Sequence, residues 1–242
     1  MAIAGVTKFW LGFDKHRPYS DDAVDRIALA FIKDFKPTIR VAGGDWQNCD
    51  QSVFTKKPYY GPSFDDECEM VEHDLDAFGI THYLQGNHEE RAERDHIDPT
   101  MRPTYDLRKK LHLRERGIKY YPYHRTKGVL RLGKLSVLHG FYTNEYVAAA
   151  TSKAYGCCVF GHAHRFQTFT PKQAFLNNTG FAIGMMGQLI QPYEKASAPR
   201  GHAQGFAFGY LHKNGHFDLY TVRIKGPSVV IEGKNYSKKA AK

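Results

Sequence analysis

Val6-Thr7-Lys8-Phe9-Trp10-Leu11-Gly12-Phe13-Asp14-Lys15-His16 is an apolar run of strand character that stops at a carboxylate and an imidazole two residues apart. On an extended chain, side chains two apart share a face, so Asp14 and His16 can reach one point in space. The arrangement recurs along the sequence. Residues 38–42 read as a strand running into Gly43-Gly44-Asp45, and residues 80–84 as a third ending at Gly86-Asn87-His88-Glu89. A hairpin over residues 129–138, turning at Gly133-Lys134, delivers His139-Gly140. Residues 157–160 form a strand that delivers Gly161-His162-Ala163-His164.

Helical periodicity fills the intervals. Val24, Ile27, Ala28, Phe31 and Ile32 recur at helical spacing over residues 21–35, with Ser20 as the expected N-cap. Met70, Val71, Leu75 and Phe78 mark a second helix closed by Gly79. Helices are also expected over the basic stretch 102–116 and over residues 144–155. Strands alternating with helices up to residue 160 predict an α/β fold whose ligands gather at the C-terminal strand ends. Beyond that point the chain reads as β-rich, with a hairpin at Asn214-Gly215. A single domain over residues 1–236 is expected, with 91–128 as a basic insertion or cap and 237–242 as a basic, flexible tail.

The 242 residues carry 34 Lys+Arg against 25 Asp+Glu, a formal charge of +9 that favours phosphate-bearing partners over cationic ones. No apolar stretch approaches membrane-spanning length. Residues 1–13 lack a basic start and a small-residue cleavage site, so no secretory leader is expected. Cys49, Cys68, Cys157 and Cys158 show no metal spacing and read as reduced residues of a cytoplasmic protein.

The strand-end residues form a mixed oxygen and nitrogen donor set: Asp14, His16, Asp45, Asn87, His139, His162 and His164. Such a set suits manganese first, with iron, zinc, cobalt or nickel as alternatives, and does not suit calcium or magnesium cages. Asp45, with two oxygens, can bridge two cations. A pair of cations about 3.5–4 Å apart clamps a phosphoryl group and activates a bridging water, with no need of a Ser or Cys nucleophile.

The blocks D-x-H, G-D-x-x-N, G-N-H-E, H and G-H-x-H, in this order over residues 14 to 164, resemble the calcineurin-like metallophosphoesterase superfamily. Asn177-Asn178-Thr179-Gly180 is similar to that family's closing N-x-G element. The resemblance implies a two-sheet β-sandwich flanked by helices. It implies one metal held by Asp14, His16, Asp45 and His164 and another by Asp45, Asn87, His139 and His162, with His88 as the catalytic histidine. Asn48 stands where many members have a second Asp, which is not a metal ligand in the family. No Arg-Gly follows it and no second Gly follows His139-Gly140, a departure from the serine/threonine protein phosphatase branch that points to the nuclease-like branch.

Aromatic and basic residues interleave in residues 56–60 and 119–125, a composition that can stack bases while neutralising phosphates. The expected nucleic-acid contacts are Lys57, Tyr59, Tyr60, Arg108, Lys109, Tyr121 and Arg125. The expected function is a dimetal phosphodiesterase or nuclease acting on DNA or RNA by attack of a metal-bridging hydroxide. The alternatives are a phosphomonoesterase or small-nucleotide phosphodiesterase, and a non-catalytic binding scaffold of the same fold. His73, His82, His96, His112, His124, His202, His212 and His216 read as structural or surface residues.

Overall fold

The computed structural model describes residues 5–50, 61–94, 105–172, 178–191 and 201–239. In chain order the elements are β1 (Val6–Gly12), α1 (Asp22–Phe35), β2 (Ile39–Ala42), α2 (Phe64–Phe78), β3 (His82–Leu84), α3 (Asn87–Arg94), α4 (Leu107–Lys110) and β4 (Lys119–Tyr121). There follow β5 (Leu130–Leu132), β6 (Leu135–Leu138), α5 (Val147–Tyr155), β7 (Cys158–Phe160), β8 (Gln167–Phe169), β9 (Gly180–Ala182), β10 (Gln204–His212), β11 (Phe217–Ile224), β12 (Ser228–Ile231) and β13 (Lys234–Ser237).

Strand alternation explains the layers. Phe9 and Leu11 of β1 point to one side and meet Val137, Val159 and Ile183, while Trp10 points to the other side and packs with Ile27 and Phe31 of α1 and Phe78 of α2. Burying each such side chain contributes roughly 1.5–3 kcal/mol. The first sheet runs β11-β10-β1-β2-β3-β4 and the second runs β5-β6-β7-β9-β8. Helices α1 and α2 cover the first sheet, and α5 packs on β7, β8 and β9 of the second. This is the helix-flanked two-sheet sandwich that the resemblance implied.

Two parallel sets of strands bring their carboxyl ends together. In the first sheet Gly12 pairs with Ala42 and Ala42 with Tyr83. In the second, Leu138 pairs with Phe160 and Phe160 with Ala182. The residues that follow β1, β2, β3, β6 and β7 are therefore neighbours, as outlying carboxyl ends of parallel strands must be.

Several expectations need correction. The N-cap of α1 is Asp21, whose carboxylate accepts from the Ala23 and Val24 amides at 2.9 and 3.2 Å. Ser20, the expected cap, instead bridges to Gly187. Segment 91–128 is not an insertion or cap in its described part. It supplies β4 to the first sheet, and Leu107, Leu111 and Leu113 are buried in the α1–α2 core. The basic helix is only Leu107–Lys110, because its apolar positions anchor a series of turns, and α5 begins at Val147 rather than at 144. Helix α3, and the strands β8, β9, β12 and β13, have too little periodicity to have been foreseen. All four cysteines are free thiols, and among the described residues no helix is long and apolar enough to cross a membrane.

Beneath the Asp14 turn lies a buried ion cluster. Lys15 alternates away from its neighbours, is fully buried, and places Nζ 2.8 Å from Asp25 and 2.9 Å from Asp74. Arg17 Nε donates to the same Asp74 at 2.7 Å. The Lys15 ammonium also lies over the Phe78 ring at 4.5 Å. Burial raises Asp25 to about 6, against the pull of Lys15. Replacing Lys15 by Ala leaves buried carboxylate charge short of one partner. The expected loss in urea unfolding free energy is about 3–5 kcal/mol. A loss below about 1 kcal/mol, the range of surface pairs, would contradict this placement.

Candidate metal centre

Each donor sits just past a strand end, and the backbone there is unusual. Asp14, His16, Asp45, His162 and His164 all have φ between 50° and 64°. Left-handed backbone at non-glycine residues is uncommon and concentrates at functional sites. The adjoining glycines are required by close approach. A Cβ at Gly86 would collide with the Asp45 carboxylate, and one at Gly161 with that of Asp14.

The donors converge. The His16 and His164 Nε2 atoms are 3.1 Å apart, and Asp14 Oδ1 lies 3.6 Å from His164 Nε2. On the other side His139 Nε2 lies 3.1 Å from Asn87 Oδ1 and 3.2 Å from Asp45 Oδ2. Three groups place one donor atom from each member within 4.8 Å of the others: Asp14, His16 and His164; Asp45, His139 and His162; and His16, Asp45 and His88. All seven expected ligands are thus brought together, and His88 stands beside them.

Hydrogen bonds select the ring tautomers. His139 Nδ1 donates to the Gly43 carbonyl at 3.1 Å, which leaves Nε2 directed at Asn87 and Asp45. His16 Nδ1 donates to the Asn48 side-chain carbonyl at 2.9 Å, whose amide nitrogen is turned the other way by Asp50. Nε2 lone pairs therefore crowd other acceptors, an arrangement that a cation relieves, and the oxygen and nitrogen set fits transition metals.

The electrostatics agree. Burial, reinforced by His88 and His164, holds His16 well below the ordinary imidazole range. Burial and His139 push His162 down to about 4. At His139 burial acts downward but Asp45 and Asp14 outweigh it and raise the ring to about 9. Burial acts against ionised Asp45, yet His139 and His88 hold it well below the usual carboxylate range. A cation would take the place of the proton that these carboxylates draw onto His139.

His88 is 9% exposed and donates from Nδ1 to the Asn48 backbone carbonyl at 2.8 Å, with Nε2 3.9 Å from Asp45 Oδ2. A cavity of ≈ 320 Å³ opens here, lined by Asp45, Asn87, His88, His162 and His164 and also by Thr143, Arg165 and His202. His202, read from the sequence as structural or surface, meets the His164 ring edge-on at 5.0 Å.

Glu89 closes the Gly86-Asn87-His88-Glu89 motif. Its buried carboxylate accepts from the backbone amides of Asp45, Trp46, Gln47 and Gly86 at 2.7–3.2 Å, and from the Tyr83 hydroxyl at 3.0 Å. The glutamate three residues after Gly86, in the first turn of a helix, was the available signal.

Of the expected nucleic-acid contacts, Arg108, Lys109, Tyr121 and Arg125 are among the described residues, and none of them lines the cavity. Arg108 forks onto Asp106 at 3.1 Å, Lys109 lies 4.0 Å from the same carboxylate, and neither lines the cavity. Tyr121 stacks on His82. Arg125 lies over the rings of Phe141 and Tyr142, at 5.2 and 5.7 Å. Tyr123 links this group to the site, 4.7 Å from the Phe141 ring and edge-on to His139 at 5.8 Å. Lys57, Tyr59 and Tyr60 lie outside the described residues, as does Asn177.

No family model matches the chain, and no curated protein matches it. Solved structures do. Vacuolar Protein Sorting 29 from Cryptosporidium parvum is 12% identical, over 91% of this chain and 99% of that one, with a TM-score of 0.46. Yfce, a phosphoesterase from E. coli, is 15% identical over 90% and 100%, with a TM-score of 0.40. A predicted phosphoesterase from Streptococcus pneumoniae is 14% identical over 91% and 100%, with a TM-score of 0.34. At these values the likenesses carry no argument about function. The layered fold and the chain order of the donors agree with the resemblance to calcineurin-like metallophosphoesterases.

Protein purified with manganese and analysed by mass spectrometry is expected to retain about two equivalents of metal. Asp45→Ala, which removes the one carboxylate shared by two of the donor groups among the described residues, is expected to lose at least one of them. Full retention by this variant would contradict the bridging placement.

Proposed function

We propose that this chain is a dimetal phosphoester hydrolase, acting on phosphodiesters of DNA or RNA. The observation that carries the reading is the convergence of seven oxygen and nitrogen donors from five strand ends, four of which (Asp45, Asn87, His162 and His164) line one cavity. Asp14, His16, Asp45 and His164 would hold one cation, and Asp45, Asn87, His139 and His162 the other. The chemistry supplied by bound cations there is water activation and neutralisation of phosphoryl charge, with manganese the first expectation.

The chain's own residues do the rest. Asn48 keeps His88 Nδ1 bonded through its backbone carbonyl. As an imidazolium, His88 can donate from Nε2 to a phosphoryl oxygen or protonate the leaving oxygen. Asn48 also orients His16 through its side chain, so one residue sets the angle of both rings. Tyr123 and Phe141, with Arg125 over the latter, give an aromatic and cationic wall next to His139 that suits a base beside its phosphate. The net charge of +9 favours the same class.

One observation favours a second reading. The cavity of ≈ 320 Å³ is at the small end of ligand sites, which suits a phosphomonoester or a small nucleotide. End-labelled single- and double-stranded DNA, incubated with the protein and manganese, separates the two. Shortening that is absent with EDTA and with Asp45→Ala supports the nuclease. Intact DNA with hydrolysis of a mononucleotide supports the smaller substrate, and no hydrolysis of any phosphoester by metal-loaded protein supports the binding scaffold.

His88→Ala is expected to keep its metal and to lose about 10²–10⁴-fold in turnover, the contribution of a positioned proton donor. Loss of metal together with activity would make His88 a ligand instead.

A further inference from the structure

Arg165 follows directly on the donor His164, is half-buried, and lines the cavity. Its Nη2 donates to the backbone carbonyls of Asn144 and Glu145, which hold the guanidinium in place without neutralising it. Its Nε is buried and has no hydrogen-bond partner among the described residues. No carboxylate pairs with Arg165 among the described residues, although Arg17, Arg108 and Arg116 all have one.

The surroundings point the same way. Thr143, Arg165, Gly201 and His202 line the cavity beyond the donors and His88, and none of them is acidic. The Ala203 amide donates to the His164 carbonyl at 2.8 Å, which ties the segment carrying Gly201 and His202 to the donor strand end. Gly201 leaves room over the Arg165 side chain, where an added Cβ would lie 3.8 Å from its Cδ. Among the described residues the lone carboxylate in the cavity lining is Asp45, already proposed for the cations.

We propose that Arg165, with Thr143 and His202 beside it, is a subsite for a second phosphate on the substrate, separate from the phosphoryl group held at the metal centre. The proposal rests on the phosphoesterase reading and sharpens its substrate class to esters that carry a neighbouring phosphate. Guanidinium is suited to this task because its planar fork matches phosphate oxygens and its charge persists at every working pH.

The test uses the manganese-loaded full chain and two readouts. By calorimetry, thymidine 3′,5′-bisphosphate is expected to bind at least about tenfold tighter than thymidine 5′-monophosphate, the least a charge-assisted hydrogen bond supplies. That advantage should fall below about threefold in Arg165→Ala. Arg165→Gln keeps a donor for the Asn144 and Glu145 carbonyls without the charge, and it decides the matter if the Ala variant unfolds. In kinetics, the ratio of kcat/KM for the dinucleotide pTpT over TpT should drop by a similar factor. Adenosine 5′-diphosphate against the monophosphate tells a pyrophosphate-linked source from a nucleic-acid neighbour. An equal bisphosphate advantage in wild type and both variants, or none in wild type, would overturn the subsite. Arg165-dependent binding without hydrolysis of any ester would remove the hydrolase reading and leave the subsite standing. Hydrolysis with no Arg165 dependence would do the reverse.

Discussion

The site depends on one buried carboxylate that is not itself among the expected metal donors. Glu89 accepts from four backbone amides and a tyrosine hydroxyl, and those amides belong to the turn that carries Asp45 and to Gly86 at the end of β3. Burial and the nearby Asp45 charge push the Glu89 carboxyl up. Both of its oxygens nevertheless face donors only, so the carboxylate is the form that fits. Hydrogen bonds to an ionised group are the strong kind, each contributing about 1.5–3 kcal/mol, and five of them offset much of the cost of burying the charge. What results is a rigid link between two strand ends.

That rigidity has a use. Asp14, His16, Asp45, His162 and His164 sit in left-handed backbone, a conformation with a cost of order 1–3 kcal/mol each that persists only where the surroundings enforce it. The enforcement is visible at each turn. The His162 amide donates to both oxygens of Asp14, at 2.8 and 3.1 Å, and the His88 amide donates to Asp45 at 2.9 Å. Lys15, anchored in its own ion cluster on the opposite side, pins the peptide between Asp14 and His16. The donors can therefore be held close before any cation arrives, as preorganisation requires.

Much of this was legible from residue types. The expected ligands are polar groups at the ends of apolar runs, and a strand can only end that way where something outside the sheet uses them. The layering followed from the same runs, since Phe9 and Leu11 alternate with Trp10 and so demand cover on both faces of β1. Where apolar pattern was thin, the reading failed. Segment 91–128 looked like a cap because its many basic residues hide three core leucines and a three-residue edge strand. Ser20 and Asp21 are both good caps, and nothing local chooses between them; the bridge from Ser20 to Gly187, far along the chain, decides it.

By itself, then, the amino-acid sequence determined the donor set, the strand ends that carry it and the two-sheet class, because alternation and donor chemistry are local properties that need only a few residues to express. The placements of Glu89, Asn48, Arg165 and His202 were decided by tertiary structure alone. Each depends on which amide, carbonyl or ring faces it across a fold that brings residues 14, 45, 88, 139 and 164 to one edge. The same holds for charge: the sequence counts Arg108, Lys109 and Arg165 alike. Only folding turns the first two onto Asp106 and leaves the third in the cavity with no carboxylate paired to it among the described residues.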